Sequence, residues 1–169
     1  MTDLPLVIRP EVPADSAAID KLHERAFGPG RFARTAYRLR EGVMPAAGLT
    51  FTALVGTLIV GSIRLSPLLA GGRPALLLGP LTVDPAFMNR GIGLRLLERS
   101  IGAAREQGHK LIFLVGDEPY YGRVGFKRVA PGRFTLPGPV DPARFLMCDL
   151  SGGTDDWSGP LIPAPATAG

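Results

Sequence analysis

The sequence has little of what disulfide-linked, metal-binding and membrane-spanning proteins require. Its 169 residues include one cysteine, Cys148, so no internal disulfide can form, and with two histidines there is no spacing typical of a zinc site. Apolar runs such as "ALLLGPLTV" are far shorter than the roughly 18 residues of a membrane span. The opening "MTDLPLVIRP" has no long apolar stretch after a charged segment, so we expect no secretory signal. We therefore predict a cytoplasmic protein with no metal and no membrane partner.

Charge of one sign does not accumulate along the chain. The 19 Lys and Arg side chains exceed the 15 acidic ones, which gives a formal net charge of +4. No block of about five or six like charges occurs, so a tail that binds nucleic acid is not expected, whereas phosphate-bearing small molecules remain suitable partners. The 46% hydrophobic content fits one domain with a real core, and 22 glycines with 17 prolines predict many turns.

Hydrophobic spacing predicts an alternating order of strands and helices. The expected order is a strand at 6–9, helices at 15–27 and 31–42, strands at 49–55, 57–68 and 75–83, a helix at 91–107, a strand at 110–116, a one-turn helix within 118–124, and strands at 125–130 and 144–150. From Ser151 the sequence loses its periodicity. We therefore assign residues 1–150 to one domain and residues 151–169 to a Pro-, Gly- and Ala-rich tail with at most local packing.

The segment "VDPAFMNRGIGLRLLERS" joins an apolar strand to an amphipathic helix through a loop with two glycines. Backbone N–H groups in the first helical turn lack partners, and the helix dipole adds about half a positive charge there. Gly91 and Gly93 would let a phosphate approach the backbone, and Arg90 would add a charge-assisted bond. The P-loop pattern is absent, and Leu96 replaces the last glycine of the Rossmann pattern. The loop alone is equally compatible with a turn that merely packs a helix on a sheet.

Two sequence motifs, one after the other along the chain, resemble those of a known protein family. The first is Met88-Asn89-Arg90-Gly91-Ile92-Gly93 after the strand end Val83-Asp84-Pro85, and the second is Tyr121-Gly122-Arg123-Val124-Gly125-Phe126 after the next strand. With the order of elements across Leu6–Leu150, they make the chain resemble the GNAT superfamily of acyl-CoA-dependent acetyltransferases, especially its YhbS-like branch. Met88 departs from the family pattern, which has Gln or Arg at this position.

The resemblance implies an α/β fold of the α+β type. In this GNAT fold a mixed, mostly antiparallel sheet of six to seven strands is flanked by about four helices, with a V-shaped cleft between the two central strands. Acetyl-CoA would lie in the cleft as cosubstrate, its pyrophosphate held by backbone N–H groups of the loop. The residues implied to bind it are Leu81, Thr82, Val83, Met88, Asn89, Arg90, Gly91, Ile92, Gly93 and Leu94.

Gly79-Pro80 interrupts one of the two strands that would form the cleft. Proline cannot donate a ladder hydrogen bond and glycine weakens a strand, so the pair predicts either a β-bulge or an edge strand. The resemblance favours the bulge, beyond which backbone groups of Leu81 and Val83 would pair with the pantetheine arm. Gly116, after the next strand, would help the other wall to diverge.

The resemblance also implies N-acetyl transfer by direct attack of a primary amine, without an acyl-enzyme. The N–H of Leu81 would polarise the thioester carbonyl, and Tyr121 would protonate the departing thiolate, although the adjacent Tyr120 could exchange roles with it. No acidic residue occupies the bulged strand. Other titratable residues are more typical of solvated or structural positions than of a base: Asp117, Glu118, His23 and His109.

The acceptor is expected to be a small-molecule or peptide amine. Its pocket would lie between the first two helices and the middle strands, where position alone suggests Phe27, Phe32, Tyr37 and Arg64. Four arginines at 31, 34, 38 and 40 favour either an acidic acceptor or a solvated face. Neither the acceptor nor the acyl chain is fixed by the sequence, and a homodimer is compatible with it. Two other functions remain open: a catalytically silent coenzyme A-binding sensor, and a basic nucleic-acid-binding module.

Overall fold

The computed structural model describes residues 5–27 and 45–164. In this part of the chain there are three α-helices, α1 (Ser16–Phe27), α2 (Ile92–Glu106) and α3 (Glu118–Tyr121). None of them is long and apolar enough to cross a membrane. The helix expected at 31–42 lies outside the described residues, as do Phe32, Tyr37 and the arginines at 31, 34, 38 and 40.

The described residues contain nine strands, which form one mixed sheet. The strands are β1 (Leu6–Pro10), β2 (Thr50–Val55), β3 (Leu58–Ala70), β4 (Arg73–Val83), β5 (Leu111–Val115), β6 (Lys127–Arg128), β7 (Phe134–Thr135), β8 (Phe145–Asp149) and β9 (Gly159–Pro163). The order β1-β2-β3-β4-β5-β8-β6 is antiparallel except for the parallel pair β4–β5. The mixed, mostly antiparallel sheet is confirmed, but it has more than the expected six or seven strands because β7 and β9 are added.

Helix α2 follows the prediction closely. Its apolar side chains recur at helical spacing, and Leu96, Leu97 and Ala104 are fully buried against the sheet. Gly108, just after the helix, has a φ of +83°, a conformation that glycine adopts without steric cost. The helix therefore ends where its sequence provides a glycine for the C′ position.

Helix α1 covers the other face of the sheet. Ile19 and Leu22 are fully buried but do not belong to the hydrophobic cluster beneath α2, and α1 packs on β3 and β4. Arg25 in its last turn bonds the carboxylate of Asp84 at 3.0 Å. This ion pair ties the end of α1 to the end of β4.

The bulge predicted at Gly79-Pro80 is confirmed. Leu65 pairs with Leu78 and Ile63 pairs with Leu81, so two residues of β4 stand opposite a single residue of β3. The Gly79–Pro80 peptide bond is cis.

The bulge changes which residues of β4 face α2. Before it, Leu76 and Leu78 pack in the cluster beneath α2, and after it Leu81 and Val83 do so. In an uninterrupted strand, alternate residues point to the same face, and all four could not share it. One extra residue therefore resets the alternation just where the strand leaves its neighbour β5.

Strands β4 and β5 separate soon after they pair. Their parallel register joins Leu76 to Ile112 and Leu77 to Phe113. Beyond Leu77, β4 runs on to Val83 without a partner on the β5 side. The divergence produces the V-shaped cleft that the resemblance implied.

The C-terminal segment joins the sheet instead of forming a tail. Strand β9 pairs with residues 68–70 of β3, and Trp157 and Leu161 are buried beside it. The N–H of Gly71 donates to the carbonyl oxygen of Pro160 at 3.0 Å, and a Cβ on Gly71 would overlap Ser158. The prediction of only local packing from Ser151 is therefore wrong as far as residue 164. Glycine and proline hide its periodicity, and its partner strand is remote in sequence.

Candidate functional site

The loop between β4 and α2 leaves the first turn of the helix open. The side chain of Asp84 accepts a hydrogen bond from the N–H of Ala86 at 3.0 Å, which fixes the 3₁₀ turn Pro85–Phe87. Gly91 is the N-cap of α2, with a φ of +78° and no side chain capping the helix. A Cβ on Gly91 would meet no atom within 4 Å. The N–H groups of Ile92–Leu94, which have no intrahelical partner, thus border a space that suits an anion.

The side chains of the loop differ in what they can add. Met88 is 57% exposed and offers no polar side-chain group, so any contact with an anion is limited to its backbone. Asn89 has a φ of +64° and is exposed. The guanidinium of Arg90 lies 5.1 Å from the ring centroid of Phe87, a cation–π contact that restricts its orientation at the loop.

Leu81 and Val83 direct their backbone polar groups into the cleft. The N–H of Asp84 donates to the carbonyl oxygen of Val60 at 2.8 Å, which marks a hydrogen-bonded position of the β3–β4 ladder. In an antiparallel pair, every second residue of a strand directs its backbone N–H and C=O groups toward the partner strand. Thr82, two residues before Asp84 and opposite Ser62, therefore also directs these groups toward β3. The N–H and C=O groups of Leu81 and Val83 therefore point to the opposite side, where β5 has diverged, and can bind an extended ligand.

Thr82 is not brought into the cleft with its two neighbours. Its backbone pairs with Ser62 of β3, and its side chain is 2% exposed on the face covered by α1. The hydroxyls of Thr82 and Ser62 are both buried without a hydrogen-bond partner among the described residues. This placement favours a structural position for Thr82 over the contact with a cosubstrate expected from the sequence.

Tyr121 lies on the opposite wall of the cleft, over the end of β5. Its ring packs so closely on Gly116 that a Cβ there would overlap it. Counted along both strands from the Leu77–Phe113 pair and past the extra residue of the bulge, Gly116 corresponds in register to Leu81. Burial, the largest of several causes, raises the pKa of Tyr121 to about 12. The phenol therefore stays protonated at neutral pH, as a hydrogen-bond donor must.

Tyr120 occupies a different level of the same cleft. Its hydroxyl fills the space in which a Cβ on Gly93 would stand, and that space also adjoins the side chain of Val83. The rings of Tyr120 and Tyr121 meet edge to face, 5.0 Å apart. Burial raises the pKa of Tyr120, although Arg123 opposes the rise. In the sequence the second motif singles out Tyr121, and the only signal for Tyr120 is that it precedes Tyr121, which does not show that the two side chains lie against different glycines.

The acidic side chains beside α3 are engaged in exposed ion pairs. Asp117 lies 3.6 Å from Arg144, and its side chain is 73% exposed. Glu118 lies 3.0 Å from Arg128. Both pairs also line a cavity of about 560 Å³ beside Tyr120, whose lining includes neither Gly93 nor Val83. The placement agrees with solvated side chains more than with a base in the cleft.

The two histidines remain away from this arrangement. His109 precedes β5 at the end of the strand opposite α3, and burial lowers its pKa. His23 is buried within α1. The structure places neither side chain beside Tyr121.

Arg64, suggested for the acceptor pocket, lies opposite the bulge but is already paired. Its guanidinium bonds both carboxylate oxygens of Glu11, at 2.8 and 3.0 Å, and both side chains are mostly buried. Sequence analysis missed Glu11, because an ion pair across 53 residues leaves no local pattern. The pair fixes the segment after β1 against β3, on the face that carries α1.

Comparisons with known proteins agree with this geometry. Residues 46–128 match the family model described as an acetyltransferase (GNAT) domain. The chain is 30% identical over 148 residues to the uncharacterized N-acetyltransferase YhbS of Escherichia coli K12, covering 86% of this chain and 88% of YhbS. The crystal structure of E. coli YhbS in complex with CoA is similar with a TM-score of 0.82 at 24% identity, over 97% of this chain and 92% of that one. A GNAT family acetyltransferase from Brucella melitensis in complex with acetyl-CoA gives a TM-score of 0.73 at 26% identity, over 96% and 98% of the two chains.

Proposed function

The chain belongs to the GNAT family of acetyltransferases, and we propose that it transfers an acetyl group from acetyl-CoA to a primary amine. The acceptor is a small molecule or a peptide. Transfer takes place within a ternary complex, by direct attack of the amine and without an acyl-enzyme.

The shape of the cleft supports this proposal more than any other feature. Strands β4 and β5 pair at two positions and then separate, which leaves the backbone groups of Leu81 and Val83 without a partner on the β5 side. The gap between the two strands leads to the open first turn of α2 at Gly91. A row of free backbone groups that ends at an anion site matches a ligand with an amide-bearing arm and a diphosphate.

The residues present fit coenzyme A at both ends. Backbone N–H groups of residues 88–94 would hold the diphosphate, since the space before Gly91 is open and no side chain caps the helix. Arg90 would add a charge-assisted hydrogen bond. Leu81 and Val83 would pair with the amides of the pantetheine arm. The similarity to an acetyltransferase that was crystallised with acetyl-CoA lends further support.

Two groups of the chain would then act on the reacting atoms. Acetyl-CoA supplies the acetyl group as a thioester, whose carbonyl oxygen becomes more negative as the amine attacks. The N–H of Leu81 would donate to that oxygen from a fixed position. Tyr121, protonated at neutral pH, would give its proton to the departing thiolate. The attacking nitrogen would lose a proton as the amide forms, and the phenolate would regain one through solvent.

We assign no side chain as a general base. Strand β4 has no acidic residue, Asp117 is exposed, Glu118 is partly exposed, and both are paired with arginines. Without a base, the attacking amine must already be neutral. The value of kcat/KM should therefore rise with pH toward the pKa of the acceptor amine itself.

The function can be tested in two steps. Thermal melting with coenzyme A and with acetyl-CoA measures binding, because a ligand that binds only the folded state raises Tm. Release of free thiol from acetyl-CoA is then measured across small amines, peptide N-termini and lysine peptides, each at several pH values. We expect both ligands to raise Tm and at least one acceptor class to release thiol.

Other results would favour a different function. If both ligands stabilise the protein but no acceptor class releases thiol, the protein is a coenzyme A sensor. If neither ligand stabilises it, the cosubstrate assignment is wrong. Binding of DNA or RNA that weakens with salt and ignores coenzyme A would favour a nucleic-acid-binding module.

A further inference from the structure

The two adjacent tyrosines occupy different levels of the cleft. Tyr121 packs on Gly116, which corresponds to Leu81 when the register of β4 and β5 is counted past the bulge. Tyr120 places its hydroxyl beside Val83 and Gly93, nearer to the first turn of α2. One phenol thus lies at the level where acetyl transfer is proposed, and the other lies where the helix opens.

Several contacts fix the position of Tyr120. Its N–H donates to the carbonyl oxygen of Asp117 at 3.1 Å within α3, and its ring meets Tyr121 edge to face. The guanidinium of Arg123 lies 6.0 Å from the ring centroid. The hydroxyl forms no hydrogen bond with any residue in 5–27 or 45–164. A phenol held this firmly, with its donor unused, is placed to bind a ligand.

We infer that Tyr120 is a cosubstrate-binding residue that donates its phenolic hydrogen to a diphosphate oxygen of coenzyme A at the first turn of α2. This inference rests on the proposed function, and it leaves protonation of the thiolate to Tyr121. The contact also explains why the second glycine of the loop motif is needed, because only glycine at position 93 leaves room for the Tyr120 hydroxyl.

Binding measurements on a pair of matched variants test the inference. Tyr120→Phe and Tyr121→Phe each remove one hydroxyl and keep the ring. Titration calorimetry should show that Tyr120→Phe weakens coenzyme A by roughly 10-fold or more, the loss expected for one hydrogen bond to a charged group. Tyr121→Phe should bind coenzyme A as the wild type does. With a reactive amine held at saturation and acetyl-CoA varied, Tyr120→Phe should raise the KM for acetyl-CoA far more than it lowers kcat, whereas Tyr121→Phe should lower kcat.

A truncated cosubstrate locates the contact. Acetyl-pantetheine lacks the diphosphate, so its KM should be the same for wild type and Tyr120→Phe. Equal weakening for coenzyme A and acetyl-pantetheine would overturn the inference, because the hydroxyl would then act on the arm. Unchanged affinity for coenzyme A would also overturn it, and so would a loss confined to kcat. If the wild type itself fails to bind coenzyme A, the proposed function fails as well. If the wild type binds and turns over normally and Tyr120→Phe gives one of these contrary results, only the role of Tyr120 is lost.

Discussion

The hydroxyl of Tyr120 stands where a side chain on Gly93 would have to be. This contact links the two motifs that carry the family resemblance, since Gly93 ends the first motif in the first turn of α2 and Tyr120, in α3, immediately precedes the second. It also packs the start of α2 against α3. The relationship predicts that the two positions depend on each other.

Gly93→Ala should destabilise the protein when Tyr120 is present. It should be tolerated in the double variant that also carries Tyr120→Phe. The added methyl would overlap the hydroxyl, and overpacking of this kind typically costs about 1–3 kcal/mol. With Tyr120→Phe the oxygen is gone, and the nearest remaining ring carbon is 3.7 Å from the new Cβ. Denaturant unfolding of the wild type, both single variants and the double variant measures the coupling. Strictly additive free energies would show that the two positions are independent.

Gly91→Glu should abolish coenzyme A binding while the fold persists. Its side chain would enter the open space before the helix with a negative charge that repels the diphosphate. Gly91→Ala is the matched control, because it has the same positive φ, which costs about 1–2 kcal/mol in a residue with a Cβ, and adds no charge. Melting curves with and without coenzyme A give the result. A Gly91→Glu protein that coenzyme A still stabilises fully would mean that the loop is only a packing turn.

Tyr121→Phe should reduce kcat by roughly 10²-fold or more, as expected when a general acid is removed. The affinity for acetyl-CoA should change far less, because the proton is needed mainly in the transition state. Since burial raises the pKa of Tyr121 to about 12, the wild type should show no loss of kcat from this group up to about pH 10. Steady-state kinetics over pH check both points. Near-normal turnover would show that water protonates the thiolate and that Tyr121 is a wall residue.

Asp15→Asn should lower the free energy of unfolding at neutral pH. It should also make that free energy depend less on pH in the acid range. The carboxylate is 5% exposed, accepts hydrogen bonds from Arg9 at 2.8 and 3.0 Å, and accepts one from the N–H of Val12 at 2.9 Å. The hydrogen bonds from Arg9 are the largest cause of its lowered pKa. Stability from a lowered pKa is present above the unfolded value of about 3.9 and disappears as the pH falls through the folded value.

Urea unfolding from pH 7 down to pH 3 measures this effect. The loss at pH 7 should be about 1–3 kcal/mol, the range for charge-assisted hydrogen bonds to a buried group. Asp20→Asn makes the same change at an exposed position of α1 and should have little effect. If the two substitutions lower the free energy of unfolding equally at pH 7, the hydrogen bonds of Asp15 do not contribute specifically to stability.

The elements of the fold that depend on neighbouring residues could be predicted from the sequence. Gly79-Pro80 predicts a bulge because proline lacks an N–H and glycine weakens a strand, and the register shift lies there. The helix expected at 91–107 is observed at Ile92–Glu106, because its apolar spacing and its flanking glycines agree. Strand β9 could not be found in this way, since its glycine and prolines do not alternate in polarity and its pairing depends on β3.

The sequence by itself determined the family, the order of the central elements, and the loop that opens α2, because each depends on neighbouring residues or on motif spacing. Only the tertiary structure decided that Thr82 faces away from the cleft, unlike Leu81 and Val83, whose orientation the resemblance had implied, since one extra residue at the bulge resets the alternation of the strand. It also decided that the adjacent phenols of Tyr120 and Tyr121 separate, one to Gly93 and the other to Gly116. Their placement depends on how α3 docks between α2 and β5, and no local pattern of side chains encodes that packing.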